Sequence, residues 1–308
     1  MSETQAVAGA IDFGGTKLMV GLVDGRGAVL EHYTVPTPRE LGPEGVLAEA
    51  AVQLERLLER RGLSLGDLCG IGSTVPALAS SRTGMLVYAP AHGWRDVPFA
   101  RMLEERFGRP ARIANDVNAC VLAEARFGVG QGVADFAWVT VSTGIGGGLW
   151  LDGRLLEGSG GMAGEIGHIV VEEAGALCGC GNRGCLEAMA AGPSIARRAR
   201  EAGLQVADGK AVFDLARNGN VTALRVLDET AVYLARGLAA CVNMVDPELV
   251  VLGGGVAESL DLLLPGIEAG LRERVILPGA RKTRVVRSGL GYQAALVGAA
   301  TLVLPARD

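Results

Sequence analysis

Three cysteines and a histidine form the most distinctive chemical pattern in the sequence. Cys178, Cys180 and Cys185 fall within eight residues, separated largely by glycines, and His168 is the nearest of only three histidines. Thiolate and imidazole groups in such a cluster are typical ligands of tetrahedral zinc, and four protein ligands leave no open position. The pattern therefore predicts a structural Zn²⁺. Three free thiols in a loop, or a disulfide within residues 178–185, are the alternatives.

A glycine-rich turn near the N-terminus has residue types that suit a nucleotide phosphate. Residues 12–17 read Asp-Phe-Gly-Gly-Thr-Lys between two apolar runs. Glycine lets backbone N–H groups approach a phosphate without a Cβ in the way, and Thr16 and Lys17 add a hydroxyl and a charge. The carboxylate of Asp12 suits Mg²⁺, directly or through water. The Walker sequence is absent, and an ordinary hairpin turn is an equally weighted alternative.

Two further glycine-rich turns occur in the second half of the chain. Residues 142–148 read Ser-Thr-Gly-Ile-Gly-Gly-Gly, and residues 253–255 are three glycines between an apolar run and a helical pattern. A glycine turn between a strand and a helix, as predicted for residues 253–255, can lie against a nucleotide and direct the N-terminus of the helix at phosphate. None of the turns has the sequence G-x-G-x-x-G, which disfavours a dinucleotide site. Each is weak evidence alone, but together they favour a nucleotide cleft formed by both halves.

Polar residues at two other places could handle a hydroxylated substrate. Asn115 and Asp116 stand between an apolar run and a helical pattern. A carboxylate there could position a hydroxyl and accept its proton during phosphoryl transfer. Helix capping is the commoner role of such a pair, and these residues alone favour capping. Glu165 and Glu187 flank the cysteine cluster, and carboxylates accept strong hydrogen bonds from hydroxyls.

The candidate site residues lie within an order of secondary-structure elements that occurs twice in the sequence. Residues 8–34 and 135–158 each show an apolar strand, a glycine-rich turn, a second strand, an Asp-Gly turn and a third strand. Asp-Gly between apolar runs is a strong hairpin signal. Two copies that open successive halves predict a duplicated fold. A chance match of two glycine-rich hairpins is the alternative.

Helical periodicity alternates with short apolar runs in the rest of the chain, which predicts an α/β protein with mixed sheets. Predicted helices cover residues 43–61, 98–108, 116–127, 185–202, 208–218 and 220–244, with a last helix ending near residue 304. Predicted strands cover residues 69–74, 85–88, 111–114 and 249–252, and one more helix and one more strand follow before the last helix. We expect an N-terminal lobe of residues 1–117, with the helix at about 295–308 packed back on it. A C-terminal lobe of residues 118–294 would carry the zinc loop and a dimerisation surface.

Composition excludes several classes of protein. The 308 residues are 49% hydrophobic and 20% charged, as in a globular protein with a substantial core. A net charge of −5 gives no general attraction for nucleic acid. No apolar run approaches the length of a membrane span, and the N-terminus lacks the basic region of a signal peptide. The uneven cysteine spacing predicts a reducing compartment, so we expect a cytoplasmic protein without nucleic-acid or membrane partners.

In this order, the motifs DFGGTK, ND, TGIGGG, GEIGH, CGCGNRGCLE and GGG resemble the ROK family of repressors, open-reading-frame proteins and kinases. The resemblance extends from about residue 8 to residue 303. It implies the duplicated actin-like, hexokinase-type ATPase fold, with two lobes around a central cleft that closes on ATP and a sugar. It also implies a homodimer.

The resemblance assigns a role to each motif residue. Nucleotide, phosphate and Mg²⁺ would be bound by Asp12, Gly14, Gly15, Thr16, Lys17, Thr143, Gly144, Gly254 and Gly255. Asp116 would be the catalytic base, and sugar hydroxyls would be held by Asn115, Glu165, His168 and Glu187. His168 would also bind zinc together with Cys178, Cys180 and Cys185.

The implied activity is ATP-dependent phosphorylation of a free hexose, with glucose converted to glucose 6-phosphate. Many kinases of the family place a sugar-contacting asparagine where this chain has Ala91, and a Gly-x-Pro-Gly segment where it has residues 74–77. His92 could substitute for the asparagine or be an ordinary loop histidine. N-acetylmannosamine, N-acetylglucosamine, kanosamine and fructose are therefore alternative substrates.

Three other functions have less support from the sequence. A repressor of this family would carry a winged helix-turn-helix before the first glycine turn, where only about eight residues precede the first strand. A sugar-binding regulator without catalysis would be expected to have lost Asp116 or a phosphate turn. A zinc hydrolase would need an open metal position, which four protein ligands exclude.

Overall fold

The computed structural model describes residues 6–89, 92–276 and 283–306. It divides into two compact units. The first unit contains Met1–Gln131, Gly158–Met162 and Tyr292–Asp308, and the second contains Gly132–Glu157 and Ala163–Gly291. Among the described residues, no helix has both the length and the apolar character needed to cross a membrane.

The strands are β1 (Val7–Phe13), β2 (Lys17–Asp24), β3 (Val29–Pro36), β4 (Leu68–Val75), β5 (Leu78–Ser80), β6 (Met85–Ala89), β7 (Trp94–Val97), β8 (Ala111–Asn115), β9 (Phe136–Val141), β10 (Ile145–Leu151), β11 (Arg154–Leu156), β12 (Leu249–Gly253) and β13 (Arg284–Arg287). The α-helices are α1 (Gly42–Arg61), α2 (Phe99–Phe107), α3 (Asp116–Phe127), α4 (Leu186–Ala190), α5 (Gly192–Glu201), α6 (Gly209–Arg217), α7 (Val221–Val245), α8 (Leu260–Arg274) and α9 (Ala294–Thr301). Short 3₁₀ helices cover Arg39–Leu41, Leu65–Asp67, Ile166–His168, Gly255–Ser259 and Gly291–Gln293.

The two units contain the same five-stranded sheet. The strand order is β3-β2-β1-β4-β8 in the first unit and β11-β10-β9-β12-β13 in the second. In each sheet the first three strands form an antiparallel meander, and two further strands are added in parallel beside the first strand. The duplication predicted from the two glycine-rich hairpins is therefore confirmed, and with it the α/β fold class.

Small residues let α9 pack closely on the first sheet. A Cβ added to Gly72 on β4 would lie 1.8 Å from the carbonyl oxygen of Ala299, and one added to Gly298 would lie 2.4 Å from that of Ala119 on α3. Helix α9 therefore contacts β1, β4 and α3 at close range. Because α3 packs on α9, the first unit continues to Gln131, past the boundary at residue 117 expected from the sequence.

Most predicted elements match within a few residues, and the differences have local causes. The predicted helix at 185–202 is two helices, because Ala191 between them has an extended backbone (φ −67°, ψ 160°) and a proline occupies the first turn of α5. Strands β5 and β7 were not predicted. They are short, and with β6 they form a three-stranded sheet in the first unit.

A large apolar cluster of the second unit lies on one face of its sheet, and side chains on the other face, such as Phe136 and Val251, are buried as well. Apolar side chains from alternate positions of β9 and β12 face the side of this cluster, where helices α4 to α8 bury them. The sequence-predicted site residues of this unit lie in the turns that follow β9 and β12, in the segment between β11 and α4, and at the start of α4.

Candidate functional site

The pairing of three parallel strands places Asp12 and Asn115, two predicted site residues of the first unit, at the same edge of its sheet. Strands β1, β4 and β8 run in parallel, with Asp12 opposite Thr74 and Val75 opposite Asn115. The Thr74 hydroxyl donates a 2.6 Å hydrogen bond to Asp12. Burial raises the pKa of Asp12, and the hydrogen bond from Thr74 opposes that rise. The carboxylate of Asp12 is thus fixed at the edge where Asn115 also lies.

Asn115 and Asp116 have different roles at the start of α3: Asn115 caps the helix, and Asp116 provides a carboxylate. Asn115 caps α3, because its Oδ1 accepts from the N–H groups of Val117 (2.9 Å) and Asn118 (3.3 Å). Its Nδ2 donates to the carbonyl of Ala77 at 3.3 Å. Asp116 is the first residue of α3, half-buried, and accepts from the Val117 N–H at 3.0 Å. The capping predicted for this pair is therefore carried mainly by Asn115, and a helix N-terminus favours the negative charge of Asp116.

The first glycine turn, which contains Gly14 and Gly15, is a tight hairpin that Thr37 stabilises with two hydrogen bonds. The Gly14 N–H donates to the carbonyl of Lys17 at 2.9 Å, and a Cβ on Gly14 would lie only 2.8 Å from that oxygen. Thr37, which is buried, donates its hydroxyl to the Gly14 carbonyl at 2.8 Å and its N–H to the Thr16 carbonyl at 3.0 Å. Thr16 and Lys17 are exposed. No sequence pattern marked Thr37 as the residue that holds this turn.

The two glycine turns of the second unit lie together. A Cβ on Gly254, whose φ is +83°, would be 2.6 Å from the carbonyl oxygen of Val141 at the end of β9. One on Gly255 would be 3.9 Å from the hydroxyl oxygen of Ser142. The turn that contains Thr143 and the turn that contains Gly254 are therefore neighbours, as a shared nucleotide site requires.

Glu187 holds the first of these two turns in place. One of its carboxylate oxygens accepts from the Ile145 N–H at 2.9 Å. The same oxygen would lie 2.6 Å from a Cβ on Gly144, so only glycine fits at that position without a shift. Glu187 is on α4, more than forty residues beyond the turn in sequence.

The four predicted metal ligands are brought together in the second unit. One ligand atom from each of His168, Cys178, Cys180 and Cys185 lies within 4.8 Å of all the others. The Sγ atoms of Cys180 and Cys185 are 3.6 Å apart, and Cys178 Sγ is 3.7 Å from His168 Nδ1. Two thiolates on a tetrahedral zinc with bonds of about 2.3 Å would be separated by about 3.8 Å. The donor set and its spacing therefore fit Zn²⁺.

The thiols in this cluster differ in their chemistry and are not joined in a disulfide. All six cysteines of the chain are free, and a disulfide would require an S–S distance of about 2.05 Å. A hydrogen bond from the backbone of Asn182 lowers the pKa of Cys180 to about 7. Burial raises the pKa of Cys185 to about 12. A cation at this position would favour the thiolate form of both.

The loop that carries the cysteines is rigidly built. The Cys178 N–H donates to the carbonyl of Asn182 at 2.8 Å. Gly184 has a φ of +70°, and a Cβ there would be 1.6 Å from the carbonyl oxygen of Glu172. The Glu172 carboxylate in turn accepts from Arg236 on α7 at 2.9 Å. These contacts fix the loop independently of the cluster itself.

The two flanking glutamates reach the cluster from different sides. The Nε2 of His168 is 4.0 Å from a carboxylate oxygen of Glu165, while its Nδ1 faces Cys178. The second carboxylate oxygen of Glu187 is 4.0 Å from Cys178 Sγ. Glu165, His168 and Glu187 are thus grouped around the cysteine loop. Ala91 lies outside the described residues.

The chain is similar to known proteins over almost its whole length. The ROK family model matches residues 8–306. The chain is 37% identical to a glucokinase of Thermotoga maritima, over 95% of this chain and 96% of that protein. It is 34% identical to an N-acetylmannosamine kinase of Citrobacter koseri, over 95% and 97% of the two chains. The solved structure of a Streptomyces griseus ROK glucokinase with glucose and AMPPNP superposes with a TM-score of 0.82, at 32% identity, covering 97% and 99%.

The chain has the duplicated actin-like, hexokinase-type fold, since its two matching sheets and its structural neighbours agree. It belongs to the ROK family.

The contact between Glu187 and Ile145 predicts a measurable effect on the glycine turn. In a Glu187→Ala variant the Ile145 amide loses its acceptor, so its hydrogen exchange should become about tenfold faster. Glu187→Gln keeps an acceptor oxygen and should show a smaller increase. Exchange at Ile145, followed by NMR or mass spectrometry, measures both. Glu201→Ala, which removes an exposed carboxylate of α5, is the matched control. Equal protection in all four proteins would contradict the contact.

Proposed function

We propose that this protein is an ATP-dependent sugar kinase that converts glucose to glucose 6-phosphate. The observation that carries the proposal is the position of Asp116. It is a half-buried carboxylate at the start of α3, beside an asparagine that already provides the helix cap. The full-length similarity to glucokinases supplies the substrate.

Asp116 is the general base in this mechanism. Its carboxylate orients the sugar hydroxyl and accepts the proton as the hydroxyl oxygen bonds to the γ-phosphorus of ATP. The bond from that phosphorus to the bridging oxygen breaks at the same time, and its electrons leave with ADP. Asn115 uses one amide N–H on Ala77, and an amide has a second N–H that can donate to a sugar hydroxyl.

ATP and Mg²⁺ are assigned to the glycine turns and to Asp12. The turn of Gly14, Gly15, Thr16 and Lys17 offers backbone N–H groups, a hydroxyl and an ammonium to phosphate. In the second unit, the turn of Thr143 and Gly144 offers backbone N–H groups and a hydroxyl. Gly254 and Gly255 are assigned to adenosine. Asp12, held by Thr74, would support Mg²⁺ directly or through water. Mg²⁺ would neutralise charge that develops on the phosphates.

The sugar hydroxyls are assigned to Asn115, Glu165, His168 and Glu187. The two carboxylates accept hydrogen bonds strongly, and they are held by the cysteine loop and by α4. N-acetylmannosamine is the second candidate substrate, because a kinase of that sugar is similar over nearly the whole chain. A site that distinguishes these sugars needs only a few well-placed hydrogen bonds.

Zinc has a structural role in the proposal. The ligands His168, Cys178, Cys180 and Cys185 would fill all four tetrahedral positions, so the metal stabilises the loop and takes no part in phosphoryl transfer. His168 would bind through Nδ1, which leaves its Nε2 directed toward Glu165. Such an arrangement fixes the orientation of both side chains.

We also expect a cytoplasmic homodimer. Free thiols and a supply of ATP are conditions of the cytoplasm. The second unit exposes large apolar side chains, which include Val170, Leu177, Met244 and Ile276. Exposed apolar surface of this kind is typical of protein–protein contacts, so the dimer surface is assigned to this unit.

Substitution of Asp116 tests the mechanism. Asp116→Ala and the near-isosteric Asp116→Asn should lower kcat at least about a hundredfold, because the base is lost. Their thermal unfolding should change little, since Asn115 still caps α3. Steady-state kinetics with glucose and Mg-ATP measure the loss. Asp228→Asn, at an exposed position of α7, is the control. Substantial residual turnover in both variants would remove Asp116 from the role of base.

Removal of a zinc ligand tests the metal assignment. Purified protein should contain about one Zn²⁺ per chain, and Cys180→Ser should lower both the zinc content and the unfolding temperature. Elemental analysis and calorimetry measure the two quantities. Cys69→Ser changes a cysteine outside the cluster and should leave the zinc content unchanged. Zinc content that is unchanged in Cys180→Ser, or absent from native protein, would contradict the assignment.

A further inference from the structure

Thr37 stands beside the first glycine turn in a conformation that its own neighbours restrict. It lies between Pro36, the last residue of β3, and Pro38, and a residue before proline is largely confined to extended backbone. The Thr37 carbonyl accepts from the N–H of Arg39 at 2.9 Å. Thr37 is also buried, with only 8% of its surface exposed. Its backbone and its side chain are therefore held in place by the first unit itself.

The two hydrogen bonds from Thr37 fix the orientation of peptide groups in the turn. Its hydroxyl donates to the carbonyl of Gly14 at 2.8 Å, and its N–H donates to the carbonyl of Thr16 at 3.0 Å. The carbonyl and the N–H of one trans peptide point in opposite directions, and the described residues contain no cis peptide. The Gly14 carbonyl and the Gly15 N–H belong to the same peptide group. The Gly15 N–H is therefore directed away from Thr37.

The turn is open at Gly15. A Cβ added to this residue would meet no atom within 4 Å. Within the described part of the chain, the N–H groups of Gly15 and Thr16 have no hydrogen-bond acceptor. Lys17 follows directly and is exposed. Adjacent backbone N–H groups without a partner, next to an ammonium group, suit the oxygens of a phosphate.

We propose that Thr37 is a positioning residue for ATP, whose hydroxyl holds the Gly14 carbonyl so that the Gly15 N–H points to a phosphate of the nucleotide. The inference rests on the proposed kinase function and deepens it, because it gives a role in phosphate binding to a residue outside the motifs assigned to ATP. Without the hydroxyl, the peptide group between the two glycines is free to turn over, since glycine adopts positive and negative φ about equally well. Phosphate then loses this donor for part of the time.

Removal of the hydroxyl tests this role. Thr37→Val replaces the hydroxyl with a methyl group, and it keeps the branched shape and the N–H that donates to Thr16. The variant should lower kcat/KM for ATP about tenfold, because one hydrogen bond to phosphate is weakened. The Kd of glucose, measured by calorimetry without nucleotide, should not change. Thr37→Ser restores the hydroxyl without the methyl group and should recover most of the lost kcat/KM.

The NMR signal of the Gly15 amide gives a readout that does not depend on turnover. In native protein its proton should shift downfield when Mg-AMPPNP is added, because the N–H then donates to a charged oxygen. Thr37→Ser should show the same shift and Thr37→Val a smaller one. Thr34→Val makes the same substitution at an exposed position of β3 and should match native protein in every measurement. Thermal unfolding shows whether each variant is folded.

The outcomes distinguish this inference from the kinase proposal. Unchanged kcat/KM for ATP in Thr37→Val overturns the role of Thr37 alone, as does an unshifted Gly15 amide in native protein that binds AMPPNP. Equal losses for ATP and glucose, with a lower unfolding temperature, also overturn it, because they assign Thr37 to folding. Thr37→Ala, a smaller variant without the hydroxyl, takes the place of Thr37→Val if that variant does not fold. Native protein that binds neither AMPPNP nor glucose overturns the kinase proposal and this inference with it.

Discussion

The register of three parallel strands is the constraint on which the proposed catalytic edge depends. Because β1, β4 and β8 are aligned as they are, Asp12, Thr74 and Asn115 end at the same edge of the sheet. A slip of one residue would turn each side chain to the opposite face. The close packing of α9 on Gly72 stabilises this alignment from one side of the sheet. Helix α3 then begins at Asp116, directly from the end of β8, so the position of the proposed base follows from the same register.

In the second unit, one carboxylate joins two features that the sequence keeps far apart. Glu187 accepts from Ile145 with one oxygen and lies 4.0 Å from Cys178 with the other. The cysteine loop and the glycine turn therefore share a side chain. A structural metal bound by the proposed ligands would therefore have a functional purpose without any part in the reaction. A zinc ion that fixes the loop would also fix Glu187, and through it the backbone of the glycine turn to which phosphate binding is assigned.

The features that could be predicted from the sequence are those that depend on patterns among neighbouring residues. The repeated hairpins and most of the helices depend on residues close together in the chain, and the structure has them near their predicted positions. The four residues predicted to bind zinc also lie close together. Contacts between residues far apart in the sequence could not be predicted. Examples are the hydrogen bonds from Thr37 to Gly14 and from Thr74 to Asp12. No periodic pattern in the sequence indicates which loop or strand will contact the end of another strand. The Gly192-Pro193 signal that separates α4 from α5 was present but was missed within a longer helical pattern. Short strands such as β5 have too few residues to show alternation.

The central claim is that this chain transfers phosphate from ATP to glucose, and the most direct test is an ADP-release assay. Zinc-replete protein is mixed with Mg-ATP and a panel of sugars that includes glucose, fructose, N-acetylmannosamine, N-acetylglucosamine and kanosamine. The account predicts sugar-dependent ADP release, with the highest kcat/KM for glucose and glucose 6-phosphate as the product. No sugar-dependent release with any member of the panel, from folded protein that binds ATP, would contradict the claim.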